Sequence, residues 1–273
     1  MDTNAKLEKL KEGLLEYGKV AVAFSGGVDS TFLLLFASET LGPENTAALT
    51  VSAPINPPDE IEEAKLFCKE RGLRHIIIEE PDLLSTEPFV KNPPDRCYHC
   101  KKIIFTALLE ETSRLPGGYI LADGSNLDDM SDYRPGIKAL TELDIKSPLR
   151  DAGLTKAEIR SELEKRGLAI WSKPACACLA SRVPFGEAVT AEKVSAVYKA
   201  ESAVRALGFT QVRVRHHGDI GRLEILPEER RLLQNDEMMD KLATIIKDAG
   251  FKYAVLELGG YEMGSLNKQR TGD

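Results

Sequence analysis

The chain has 273 residues, 42% hydrophobic and 29% charged, with 36 Lys and Arg against 43 Asp and Glu for a net charge of −7. That is an ordinary globular balance, long enough for two modest domains, and it offers no broad basic footprint for a polyanion such as tRNA, which disfavours a nucleic-acid partner. No apolar stretch approaches the roughly 18 residues that span a membrane. The first residues also lack the apolar core of a signal peptide, so a cytoplasmic protein with five reduced cysteines is expected.

Leu7, Leu10, Leu14 and Leu15 recur at helical spacing and predict a short amphipathic helix. The apolar run Val20-Ala21-Val22-Ala23-Phe24 then reads as a buried parallel strand, and Thr31-Phe32-Leu33-Leu34-Leu35 as the start of a helix. Between them stands Ser25-Gly26-Gly27-Val28-Asp29-Ser30. A strand feeding a helix through Ser-Gly-Gly makes a loop whose backbone N–H groups close around an anion, aided by the partial positive charge of the helix N-terminus. Adjacent glycines admit a phosphate with no Cβ in the way. The Lys of the Walker loop is missing, which argues against simple γ-phosphate handling.

Residues 46–51 read as a second strand, and Pro57-Pro58-Asp59-Glu60 open a helix that Gly72 ends. Residues 75–78 and 119–122 are the third and fourth strands, with a helix near 101–114 between them. The alternation predicts an α/β fold, a parallel sheet with helices on both faces, whose ligands lie beyond the carboxyl ends of the strands. Thr155-Lys156-Ala157-Glu158 is a capping box opening a helix that Gly167 stops. After Trp171 the character changes. Residues 172–189 form a loop rich in Pro, Cys and Ala. A helix over 190–207, strands at 211–216 and 223–226, a helical stretch over 228–249 and a strand at 253–258 then give a smaller C-terminal α+β domain. The expected division is 1–175 and 176–273, with a polar, disordered tail over 267–273.

Cys68 sits in an apolar helical pattern and reads as a core residue. Cys97-Tyr98-His99-Cys100 lies just before a helix, and Cys176-Ala177-Cys178 in the later loop. Four thiolates on one zinc would make a closed structural site. Three around a 4Fe–4S cluster would leave one iron open. Spacing alone does not separate these two, nor either from cysteines with no common role. Arg213 and Arg215 alternate with Val212 and Val214, so both forks share one strand face that suits a phosphate or is simply a solvated polar face. Asp128 and Asp129 read either as aids to metal or substrate positioning or as a solvated acidic turn. His216 and His217 are given no role.

The strand followed by S-G-G-x-D-S resembles the PP-loop ATP pyrophosphatases, of adenine nucleotide alpha hydrolase-like fold. These split ATP between the α and β phosphates and pass the AMP half to a carbonyl or carboxylate oxygen, from which nitrogen or sulfur displaces it. Three further segments narrow the resemblance: Asp123-Gly124-Ser125-Asn126-Leu127-Asp128-Asp129, Asp132-Tyr133-Arg134-Pro135-Gly136, and residues 173–186 with Ala177-Cys178-Leu179-Ala180-Ser181-Arg182. Over nearly the whole chain they look like the LarE family, ATP-dependent sulfur transferases of nickel-pincer cofactor biosynthesis. The resemblance implies that ATP adenylates a carboxylate of a pyridinium dicarboxylate mononucleotide and that sulfur replaces the AMP, leaving a thiocarboxylate. It implies phosphate contacts from Ser25, Gly26, Gly27 and Ser30, Mg²⁺ near Asp29, and Gly124 and Asn126 facing the nucleotide. Ser181, Arg182, Arg213 and Arg215 would face the acceptor, and Glu201 and Glu224 match divalent-metal positions.

The family draws sulfur either from one sacrificed cysteine or from sulfide held on a 4Fe–4S cluster bound by three cysteines. The C-x-x-C pair makes this chain resemble the cluster type, with Cys97, Cys100 and Cys178 as ligands and Cys176 as the alternative ligand or as a sulfur donor. Implied partners are a small carboxylated mononucleotide, a sulfide source and further copies of the chain as a homo-oligomer. Other PP-loop readings are a tRNA thiolation enzyme, a cysteine-consuming sulfur transferase, an amide-forming enzyme with structural zinc, and a non-enzymatic sulfide carrier.

Overall fold

The computed structural model describes residues 2–130, 135–174 and 177–262. Tyr133, Arg134, Cys176 and the tail from 267 lie outside these. Helix α1 (Thr3–Tyr17) leads into β1 (Val20–Ala23), α2 (Val28–Leu41), β2 (Thr46–Ser52), α3 (Pro58–Glu70) and β3 (Arg74–Glu79). The one-turn α4 (Glu87–Val90), long α5 (Arg96–Arg114) and β4 (Ile120–Ala122) follow, then α6 (Pro135–Glu142), α7 (Pro148–Asp151) and α8 (Lys156–Lys165). Beyond these come α9 (Ala191–Ala206), β5 (Arg213–His217), β6 (Ile220–Glu224), α10 (Asp236–Asp248) and β7 (Tyr253–Leu256).

Two compact units result: Met1–Leu83 with Asp95–Cys176, and Leu84–Pro94 with Ala177–Asp273. Residues 84–94 are grouped with the second unit. Asn92 Nδ2 donates to the carbonyls of Val183 (3.2 Å) and Pro184 (2.7 Å), and Val189 N to that of Val90 (3.0 Å).

The first unit holds a four-stranded parallel sheet in the order β3-β2-β1-β4, extended by a single bridge from Ala122 to Lys146. Val20, Ala21 and Val22 are fully buried, as expected of a central parallel strand that helices cover. Leu10 and Leu14 of α1 join Phe32, Leu33 and Leu34 of α2 in the core. Leu15 does not and is 54% exposed, because one residue turns a helix by about 100° away from the Leu14 face. Strand order reverses at β1. The chain steps outward through β2 and β3 and then returns to β4 on the other side, so the crevice of the sheet opens where β1 and β4 end.

Several boundaries differ from the sequence reading. Helix α2 starts at Val28, with Gly27 as its N-cap, so Asp29 and Ser30 belong to its first turn. Helix α5 starts at Arg96, which places Cys97 and Cys100 inside a helix instead of ahead of one. Strand β6 begins at Ile220, since His217 and Ile220 already pair across a tight turn. The stretch 228–249 divides at Asn235, whose side chain accepts from Met238 N and caps α10. In the second unit β5 and β6 are antiparallel while β7 lies parallel to β6, giving the small mixed sheet. Among the described residues no helix is long and apolar enough to cross a membrane.

Candidate active site

Beyond β1 the chain turns through Gly26, whose φ of +67° favours glycine. Ser30 Oγ donates to the Gly27 carbonyl (3.2 Å), and Ser25 N donates to Ser30 Oγ (3.3 Å), so the loop is cross-braced by its own serines. Gly27 has no side chain to cap α2. The first amides of this helix therefore face the crevice without a side-chain cap, the arrangement that attracts an anion.

The loop after β4 closes against this turn. A Cβ on Gly124 would lie 2.9 Å from Ser30 N and 3.1 Å from Ser30 Cα, a contact only glycine permits. Two residues on, Asn126 is 3% exposed and donates through Nδ2 to Asp29 Oδ1 (3.3 Å), while its backbone N donates to Asp129 Oδ2 (3.0 Å). The other Asp29 oxygen pairs with Lys156 Nζ. Asp128 accepts from Lys156 N (2.8 Å) and so holds the start of α8 against this loop. The structure thus brings Ser25, Gly26, Gly27, Asp29, Ser30, Gly124 and Asn126 together at the switch point.

Sequence reasoning gave Lys156 no role beyond its place in the capping box. Thr155 and Glu158 do cap α8 reciprocally. A lysine at the first helical position opposes the helix dipole, and that local conflict is the signal that could have flagged it.

On the other side of the loop lies a cleft of about 430 Å³, walled by Phe24, Ala64, Phe67 and Ile170 and bordered by Gly26 and Lys173. Thr31 also lines it; its side chain is fully buried, and its Oγ1 has no hydrogen-bond partner among the described residues. Lys173 Nζ donates to the Gly26 carbonyl (3.3 Å) and to Glu63 (2.8 Å).

Cys97 and Cys100 occupy the first turns of α5 at i and i+3, so they are neighbours on one face. Soft metals suit thiolate ligands. Cys178 belongs to the second unit, and Cys176 lies outside the described residues. Among the described residues no group of three or more His, Cys, Asp or Glu side chains is arranged to hold a metal. Cys68 is a core residue, its thiol pushed up to about 12 by burial, with Arg71 opposing.

In the second unit the acceptor candidates are tied to carboxylates. Arg182 makes two bonds to Glu201 (2.8 and 2.9 Å), and its Nη1 also donates to the carbonyl of Cys178 (2.9 Å) and to Ser181 Oγ (2.9 Å). Arg215 makes two bonds to Glu224 (3.0 and 2.8 Å) and one to the Ser181 carbonyl (3.1 Å). Arg213 is buried, with its guanidinium over the Tyr261 ring. The strand face carrying Arg213 and Arg215 is therefore buried, not solvated. Burial works against the charged form of Glu201, but Arg182 outweighs it and holds the carboxyl below the usual range. A divalent cation at Glu201 and Glu224 would have to displace guanidinium groups from both.

The sequence profile of the NAD synthase family matches residues 5–93. Over 269 residues, 97% of this chain and 95% of the relative, it is 35% identical to pyridinium-3,5-bisthiocarboxylic acid mononucleotide synthase of Lactiplantibacillus plantarum. It is 37% identical over 267 residues, 98% of each chain, to the uncharacterized protein slr1717 of Synechocystis. A shorter likeness, 32% over 78 residues, links 27% of the chain to 32% of the NH(3)-dependent NAD(+) synthetase of Methanoregula boonei.

Proposed function

Because the chain belongs to the family of pyridinium-3,5-bisthiocarboxylic acid mononucleotide synthases, the LarE family of PP-loop enzymes, we propose that it uses ATP to turn a carboxylate of a pyridinium dicarboxylate mononucleotide into a thiocarboxylate. The observation that carries this reading is the cradle of Ser25–Ser30, closed by Gly124 and Asn126, with Asp29 held between Asn126 and Lys156. Backbone amides of the loop and of the first turn of α2 take the β and γ phosphates. Asp29 would supply an oxygen ligand to a Mg²⁺, which would offset the negative charge of the phosphates. Lys156 stands beside it, placed to meet charge that builds as pyrophosphate departs. An acceptor carboxylate oxygen attacks the α phosphorus and pyrophosphate leaves. Sulfur then attacks the acyl carbon, and AMP leaves with that oxygen.

Ser181, Arg182, Arg213 and Arg215 bind the acceptor's phosphate and carboxylates in this reading, exchanging bonds now made to Glu201 and Glu224. Cys97, Cys100 and Cys178 would hold a 4Fe–4S cluster, with Cys176 as the alternative ligand. Such a cluster would supply soft iron on which inorganic sulfide could be carried. The family's oligomeric habit suggests further copies of the chain as partners.

The test is anaerobic purification followed by iron, zinc and acid-labile sulfide analysis, then turnover with ATP, the mononucleotide and sulfide. AMP, pyrophosphate and a product with one oxygen replaced by sulfur are expected, and Asp29→Ala abolishes all three. Stoichiometric zinc would make the cysteines structural. Turnover without iron, limited to one event per chain, would point to a consumed cysteine. No pyrophosphate release with any carboxylated acceptor would refute the reading.

A further inference from the structure

Residues of the 169–174 segment line the cleft beside the anion loop, where Ile170 packs against the core and two polar clamps hold the rest. One clamp is Arg160 of α8, which donates to the carbonyls of Trp171 and Lys173 (2.8 Å for the latter). The other is Lys173 itself, whose ammonium bonds the Gly26 carbonyl at 3.3 Å and Glu63 of α3 at 2.8 Å. The Gly26–Gly27 peptide is planar, so fixing its carbonyl on one side fixes the opposed Gly27 N–H on the other. That N–H itself donates to Ser25 Oγ (3.3 Å), so Ser25 and Lys173 hold the two ends of a peptide that a glycine with φ of +67° would otherwise allow to turn over.

We propose that Lys173, anchored by Glu63, is a positioning residue that sets the Gly26–Gly27 peptide for anion binding. Through the same bond it couples occupancy of the loop to residues 169–174, the segment that leads in sequence to Cys176 and Cys178. This rests on reading Ser25–Ser30 as a phosphate cradle. Its consequence is that residues 169–174 sense whether the loop is occupied, and linkage makes that influence reciprocal.

Charge separates this role from direct phosphate contact. Glu63 is exposed, and its negative charge near the loop opposes an anion. If Lys173 touched phosphate, Glu63→Gln would free it and tighten binding. If Lys173 acts through Gly26, losing its anchor weakens binding.

The probe is Mg-pyrophosphate, titrated into the full chain by calorimetry and by the emission of Trp171, the one tryptophan. Lys173→Met is expected to weaken binding about tenfold, the loss of one charged hydrogen bond. Glu63→Gln is expected to weaken it about threefold, the scale of an exposed ion pair. Wild-type emission changes saturably, and Lys173→Met at saturation shows no change. Unchanged or tighter binding by Glu63→Gln overturns the proposal, as does a silent Trp171 in saturated wild-type protein. Wild-type protein that binds no pyrophosphate removes the cradle itself, a failure calorimetry separates from the other two.

Discussion

Lys156→Met tests whether the lysine bonded to Asp29 belongs to the chemistry or to the fold. The side chains of Lys156 and Asp29 are 33% and 21% exposed, so their ion pair is a partly solvated one that contributes at most about 1 kcal/mol to stability. Two features soften even that loss. Asp29 keeps its bond from Asn126, and removing a cation from the first position of α8 relieves an unfavourable interaction with the helix dipole. The melting temperature should therefore move by no more than about 3 °C. In the proposed adenylation the same ammonium would stand where negative charge concentrates on the departing pyrophosphate. Removing one such preorganised group costs about 2.7–4 kcal/mol, a fall of roughly 10²–10³ in kcat. Pyrophosphate release at saturating ATP, measured beside a thermal melt of the same preparation, reads both quantities. A rate within about threefold of wild type, or a rate loss matched by a collapse in melting temperature, would refute the assignment.

Gly124→Ala forces a Cβ to 2.9 Å from Ser30 N, so the β4 loop must retreat from the first turn of α2. A destabilisation of about 1–3 kcal/mol in urea is expected, with a larger fractional loss of pyrophosphate release; an unaffected rate would place the nucleotide elsewhere. Glu201→Gln leaves Arg182 buried without its carboxylate and should cost about 3–5 kcal/mol in the unfolding of the second unit. A loss below about 1 kcal/mol would mean the pair is not closed in solution. Burial opposes the charged form of Glu158, but bonds from Lys6 and from the Thr155 backbone and hydroxyl outweigh it and hold the carboxyl at about 2 against an ordinary 4.5. Its contribution is thus complete above about pH 4.5 and fades as pH falls toward 2, so the stability gap between wild type and Glu158→Gln, read from urea midpoints, should narrow across that window. A gap that does not change with pH would show that the carboxyl is not held down.

What the sequence determined by itself was local. The strand before Ser25, the loop of glycines, the Thr155 capping box and the buried Cys68 each follow from contiguous residues, whose periodicity and backbone preferences act before any distant contact forms. The alternation of strands and helices likewise fixed a parallel sheet, and with it the end at which a ligand would lie. Only the tertiary structure decided which side chains meet there. Lys156 reaches Asp29 across 127 positions, and nothing in either neighbourhood encodes that distance. The same holds for Arg213 and Arg215. Their alternation put both on one strand face, but only the pairing of β5 with β6 and the packing of α9 turned that face inward and set Glu224 and Glu201 among the arginines. A guanidinium is the same group in water or in a core. Its surroundings decide whether it waits for a substrate or is held by a carboxylate, and those surroundings arise only when segments far apart in the chain are packed together.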